Sequence, residues 1–182
     1  MIMMLFSILP LVMILPLTGY INRLFDMNGL VGIMIVLTGL ILFVSVRLWG
    51  REKTERNMSL SDAILIGLSQ TVSAIPGISR TGIVYTAWVA VGLQREFAAK
   101  YTIMLSVPVM FAANIVRLVD AAQGNFSLAD IPPCLVGMAA AIGAGILSLR
   151  VFRAMAEKGR FRTVGYYCCV AGVLSVILTM IF

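Results

Sequence analysis

The chain has 182 residues, 60% of them hydrophobic and 12% charged, with a formal net charge of +6. Its mean hydropathy is +1.01, and a soluble domain carries roughly a quarter charged residues, about twice this fraction. That balance excludes a soluble globular domain and gives the positive charge no nucleic-acid meaning, because Lys and Arg gather in the cytoplasmic loops of membrane proteins.

A spanning helix needs about twenty mostly apolar residues. Residues 2–20 meet this, with Pro10 and Pro16 expected to bend the helix. They lack the basic first region and small-residue cleavage site of a signal peptide. Residues 22–29 read as a polar turn, 30–49 as a second span, and 50–57 (GREKTERN) as a charged loop. Ser59, Ser61 and Asp62 then supply the hydroxyls and the first-turn acid of a helix start.

The helix from Ser61 runs only to Ile75 before Pro76-Gly77. That is about fourteen residues, or roughly 21 Å, too short to cross a bilayer. Residues 81–93 after the break are also too short. Two half-length helices around a Pro-Gly turn predict a re-entrant hairpin over 61–93, its irregular tip buried in protein or lining a wet cavity. The alternative is one Pro-kinked helix over the same residues.

Residues 95–119 form the next span, bent by Pro108, and 121–130 a loop without Lys or Arg. Residues 132–151 are a span whose Gly137, Ala141 and Gly145 suit close helix contact. Residues 153–162 read as a basic loop and 166–182 as the last span. The whole of 1–182 is thus one polytopic all-α membrane domain, with about five transmembrane helices and one re-entrant hairpin. Arg51, Lys53, Arg56, Arg95, Lys100, Arg153, Lys158, Arg160 and Arg162 fall on one side if the hairpin returns where it entered. The loops around Asp26 and Asp130 carry only Arg23. The positive-inside rule favours the hairpin, since a kinked crossing would divide the basic clusters.

Cys134, Cys168 and Cys169 match no zinc spacing, and there is no histidine; they read as small apolar packing residues. The twelve methionines read as flexible filler.

Within "SAIPGISRTGIVYT" the chemistry is concentrated. Arg80 stands deep in a hydrophobic segment, where an isolated charge costs several kcal/mol and marks a functional site. Ser79 and Thr81 offer hydroxyls, and Gly77 and Gly82 allow close backbone approach. The N–H groups that open the second half-helix lie at the positive end of its dipole. Together these residues describe a phosphate cradle. The competing reading has Arg80 neutralising helix carbonyls or a structural carboxylate. Gln70, six residues before Pro76, either reaches the same cavity or bonds a neighbouring helix backbone. Asp26, Glu52, Glu55, Asp62, Glu96, Asp120, Asp130 and Glu157 all lie in loops or near segment ends, so no base stands beside Arg80 in the sequence.

"IGLSQTVSAIPGISRTG" followed by "VGLQREFAAKYTIMLSVPVMFAA" resembles the undecaprenyl-diphosphate phosphatases, also called bacitracin-resistance proteins. "SILPLVMILPLTGYINRLF" and "DIPPCLVGMAAAIGAGILSLRVFRAM" extend the likeness over nearly the whole chain. The resemblance implies two inverted repeats, each with a re-entrant hairpin, of which this chain holds the second. It implies removal of the terminal phosphate from undecaprenyl diphosphate in the bacterial inner (plasma) membrane, recycling the lipid carrier of peptidoglycan synthesis and conferring bacitracin resistance. It also implies a divalent cation, Mg or Ca, whose ligands are not expected in this chain.

Carried over by position, Ser79 and Arg80 are the catalytic residues, while Gln70, Gly77, Thr81 and Gly82 bind substrate. Thr81 stands where the family has Ser. Val84 stands where it has Thr, and Thr86 replaces that contact only if the helix is rotated. The first repeat's glutamate and histidine signatures are absent, so the chain is expected to be an N-terminally truncated member or a natural half-protein, weak or inactive alone. Its expected partners are undecaprenyl diphosphate, the lipid bilayer, and a second copy or the missing repeat, with no nucleic acid. Two other classes stay open: a polyprenyl-phosphate transporter or flippase, and a non-catalytic membrane subunit.

Overall fold

The computed structural model describes residues 7, 24, 28–48, 53–54, 57–123 and 131–181. The expected first span, the turn with Asp26, and the loop with Asp130 lie outside them, apart from single positions. The described residues form six helices and no strand: α1 Asn28–Arg47, α2 Leu60–Val72, α3 Arg80–Ala90, α4 Arg95–Gln123, α5 Ile131–Glu157 and α6 Phe161–Ile181. Gly29–Arg47, Ile131–Glu157 and Phe161–Ile181 are each long and apolar enough to cross a membrane. The chain is an all-helical, polytopic membrane protein.

The tightest pairing joins α1 to α6, antiparallel. A Cβ on Gly39 would meet the Gly165 carbonyl at 2.7 Å, and one on Gly172 would meet the Gly32 carbonyl at 2.7 Å. Four glycines, two per helix and seven residues apart, therefore bring backbone against backbone. Such contact suits a membrane, where dispersion and small residues drive helix association. The stripe expected to do this, Gly137, Ala141 and Gly145 on α5, does not. Nothing lies within 4 Å of a Cβ on Gly137 or Gly145, and α5 is exposed along most of its length.

α2 and α3 are the two arms of a hairpin, and Lys53 ties both of their outer ends. Its side-chain ammonium donates to Asp62 at the start of α2. Its main-chain N–H donates to the Gly92 carbonyl at 3.2 Å, just beyond α3, and its own carbonyl accepts from Gln94. The chain leaves and returns at one level. Ser59 caps α2 in a reciprocal box with Asp62.

At the same end Arg95 donates to the Val46 carbonyl and lies against Gly159, while Tyr85 donates to the Ala156 carbonyl. The described basic residues at 47, 53, 95, 100, 153, 158, 160 and 162 thus share one end of the molecule, which the positive-inside rule makes cytoplasmic.

The expected basic loop over 153–162 shrinks to residues 158–160. Arg153 and Glu157 form an i, i+4 pair inside α5. Gly159, at φ +60°, then ends the helix by letting Arg160 N–H reach the Met155 carbonyl at 2.9 Å. The core surrounds α3: Val84, Tyr85, Trp88 and Val89 pack with Leu42, Ile66, Leu93 and Leu105.

Candidate functional site

Residues 73–79 join the two arms. The Ile75 carbonyl accepts from Ile78 N–H at 3.2 Å, closing a turn with Pro76 and Gly77 at its centre. Gly77 has φ +92°, the conformation that this position of a type II turn demands. It also has no room for a side chain, since a Cβ would meet the Val31 carbonyl at 2.5 Å. The tip is pressed onto α1.

Thr38 of α1 locks that contact. Its Oγ1 accepts from Ser79 N–H at 3.0 Å and lies 3.1 Å from the carbonyls of both Gly77 and Met34, to which its proton is donated. Thr38 is only 3% exposed, so the bonds run without competition from bulk water. Sequence reasoning passed over Thr38. The available signal was a hydroxyl beside Gly39 in the middle of an otherwise apolar span.

Ser79 caps α3, its Oγ accepting from Gly82 N–H at 3.3 Å. Its carbonyl accepts from Ile83 N–H. Ser79, Gly82 and Ile83 thereby have their N–H groups engaged. Those of Arg80 and Thr81 have no partner among the described residues and point off the positive end of the helix dipole. Arg80 is partly buried. Among the described residues it has no ion pair, the pairs formed being Lys53–Asp62 and Arg153–Glu157. The alternative of a structural carboxylate partner for Arg80 therefore finds no such residue there.

Ser79, Thr81 and Gly82 form the polar rim of a cavity of about 390 Å3. Its walls come from Leu42 of α1, Leu147, Val151, Phe152 and Met155 of α5, and Phe161 and Val164 of α6, with Ser148 as a further polar group. α3 is set in this frame by aromatic packing. Tyr85 meets Phe161 at 4.7 Å and Phe152 at 6.0 Å, and Trp88 lies on Tyr101 at 5.2 Å.

Two expected ligands fall elsewhere. Gln70 is 1% exposed, and its Nε2 donates to the Ser7 carbonyl at 2.7 Å, while Ser7 Oγ donates to the Ala63 carbonyl. Gln70 fastens residue 7 to α2, the neighbouring-backbone reading, and does not line the cavity. Thr86 is buried, with its hydroxyl donated to the Gly82 carbonyl one turn back at 2.8 Å. It does not replace the hydroxyl missing at Val84, which packs in the core. The helix is not rotated toward it.

The assembled site is cationic and donor-rich at one pole and apolar beyond. It suits an anion carried on a hydrocarbon chain. Among the described residues no three His, Cys, Asp or Glu side chains converge, so these residues by themselves offer a divalent cation no ligand set.

Comparison with known proteins gives the chain its relatives. The sequence profile of bacitracin resistance protein BacA matches residues 1–174. An undecaprenyl-diphosphatase of Halothermothrix orenii is 33% identical over 184 residues, covering 97% of this chain and 71% of that protein. One from Carboxydothermus hydrogenoformans is 32% identical, covering 87% and 62%. One from Methanosphaera stadtmanae is 29% identical, covering 88% and 57%. The chain therefore spans between 57% and 71% of the length of these relatives.

Proposed function

The chain belongs to the family of bacitracin resistance protein BacA, and from that membership we propose that it serves the hydrolysis of undecaprenyl diphosphate to undecaprenyl phosphate and phosphate. One observation carries the reading: a partly buried arginine with no carboxylate partner among the described residues opens α3, and its neighbours Ser79, Thr81 and Gly82 line an apolar cavity. A lipid diphosphate has both matching parts. The guanidinium and the N–H groups of Arg80 and Thr81 receive phosphate oxygens, and Leu147, Val151 and Phe161 receive the first part of the prenyl chain.

In that hydrolysis a water oxygen bonds to the terminal phosphorus. The bridging P–O bond breaks, and its electrons leave with undecaprenyl phosphate. Arg80 and the helix N-terminus oppose the charge that grows on these oxygens. Ser79 Oγ is occupied as a cap and has no base beside it among the described residues, so it positions the helix N-terminus and binds. We assign this chain the substrate-binding, charge-stabilising part of the reaction. Its setting is the bacterial plasma membrane, where the product serves peptidoglycan synthesis and its turnover confers bacitracin resistance.

Residues 1–182 in bilayers, supplied with undecaprenyl diphosphate, provide the test. Saturable binding that Arg80→Ala removes, with weak or absent phosphate release, is the expected result. Robust release abolished by Arg80→Ala would show that these residues suffice for catalysis. Lipid transfer between leaflets without phosphate release would sink the hydrolase reading in favour of a transporter.

A further inference from the structure

At the cytoplasmic end of the glycine seam, α1 and α6 part around a second cavity, of about 560 Å3. It shares no lining residue with the tip cavity. Leu40 and Val44, each 51% exposed, form its membrane-facing side, two turns and one turn before Arg47 on α1. Arg47 and Arg162 stand at its outer edge. Arg162 lies over the Tyr166 ring at 5.9 Å, and Phe43 meets that ring edge-on at 4.9 Å, so the aromatic pair sets the direction of the guanidinium.

Among the described residues the charge of this groove is uncompensated. Neither arginine has an ion-pair partner among the described residues, and no acidic residue among them lines the groove. The cavity of about 370 Å3 between α4 and α5 differs. There Lys100 and Arg153 share the lining with Glu96, and Arg153 is already paired with Glu157. Of these two cavities, the α1–α6 groove is the one that combines two guanidinium groups without an ion pair among the described residues with an exposed apolar side.

We propose that this groove binds an anionic glycerophospholipid of the cytoplasmic leaflet, its headgroup phosphate between Arg47 and Arg162 and an acyl chain along Leu40 and Val44. Basic clefts between transmembrane helices on the cytoplasmic side recognise such headgroups by charge and planar hydrogen bonding. The lipid would lie across one end of the α1–α6 seam, beside Phe43 and Tyr166.

Native mass spectrometry of the full chain in detergent, titrated with phosphatidylglycerol or phosphatidylcholine, reads this directly. Phosphatidylglycerol should be retained in preference. Arg47→Gln combined with Arg162→Gln should lower that retention roughly tenfold, while Lys158→Gln with Arg160→Gln, outside the groove, should change it less than about twofold. Equal retention of the two lipids, or equal loss in the two double variants, overturns the proposal, because the attraction is then the diffuse pull of a basic end. A second measurement needs no variant. Photoactivatable phosphatidylglycerol in phosphatidylcholine vesicles should label residues 40–47 and 162–166 of the unaltered chain, and labelling confined to other segments overturns it too.

Discussion

Gly32, Gly39, Gly165 and Gly172 let α1 and α6 touch at backbone distance, whereas Gly77 and Gly82 at the hairpin tip shape a surface that leaves donors free. The seam has few unsatisfied groups and little space. The tip has a partly buried cation, two N–H groups without a partner among the described residues, and an open cavity beside it. They meet on α1. Its stripe of Val31, Met34, Thr38 and Leu42 faces the tip, and its adjacent stripe of Gly32, Val36, Gly39 and Phe43 faces α6. A rigid seam thus holds a polar tip that has not satisfied itself, and the difference separates what folds the protein from what the protein binds.

The sharpest break in that comparison is Gly39→Val. A Cβ there meets Cys169 Sγ at 2.6 Å and the Gly165 carbonyl at 2.7 Å, so the helices must separate, at a cost of about 3 kcal/mol. Thermal unfolding in detergent should show a large loss, and Gly137→Val on the open face of α5 should show almost none. Equal effects would mean that the seam is no tighter than α5.

Arg80→Ala should do the reverse. Binding of a diphosphate lipid should fall about 10- to 100-fold, the worth of charge-assisted hydrogen bonds, with unfolding unchanged because no ion pair among the described residues is lost. Arg80→Lys should recover part of the binding, since an ammonium lacks the planar fork. A destabilised Arg80→Ala protein would instead make the guanidinium a folding element.

Thr38→Val lies between the two regions. It keeps the shape but leaves Ser79 N–H and the Gly77 carbonyl unpaired, which should cost about 1–3 kcal/mol and weaken diphosphate binding as well. Thr38→Ser should restore both. If binding survives intact while stability drops, Thr38 supports the seam and not the position of the tip.

The smallest effect belongs to Thr86→Val. Among the described residues its hydroxyl serves the Gly82 carbonyl of its own helix, so stability should move by at most about 1 kcal/mol and binding should stay level. Clear loss of binding would return Thr86 to the ligand set.

Much of the hairpin was legible in the sequence, because chain length and Pro-Gly chemistry are local. Two arms too short to cross and the Pro-Gly break between them follow from neighbours along the chain, whereas the cap by Ser79 and the positive φ of Gly77 were seen only in the structure. The seam was not legible in the same way. The four-residue spacing on α5 is a stronger small-residue signal than two glycines seven apart on α1 and two on α6, yet α5 is the open helix. Spacing says that a helix can be approached closely, and only the partner's position says whether it is.

Gln70 and Thr86 teach the same distinction from the polar side. Both lie near the break in sequence and carry suitable groups, but one side chain turns to the Ser7 carbonyl and the other to its own helix.

By itself the sequence determined the membrane class, the helical content, the basic end and the presence of Ser79 and Arg80 on a broken helix. Each of these rests on composition or on contacts a few residues long. Only the tertiary structure decided that Thr38 clamps the tip, that Lys53 joins both hairpin ends, and that α5 and α6 wall the cavity beside Ser79. Apart from the Lys53–Asp62 bond, nine positions apart, those depend on residues 39, 41 or more positions apart, brought together by the way α1 packs against both the hairpin and α6.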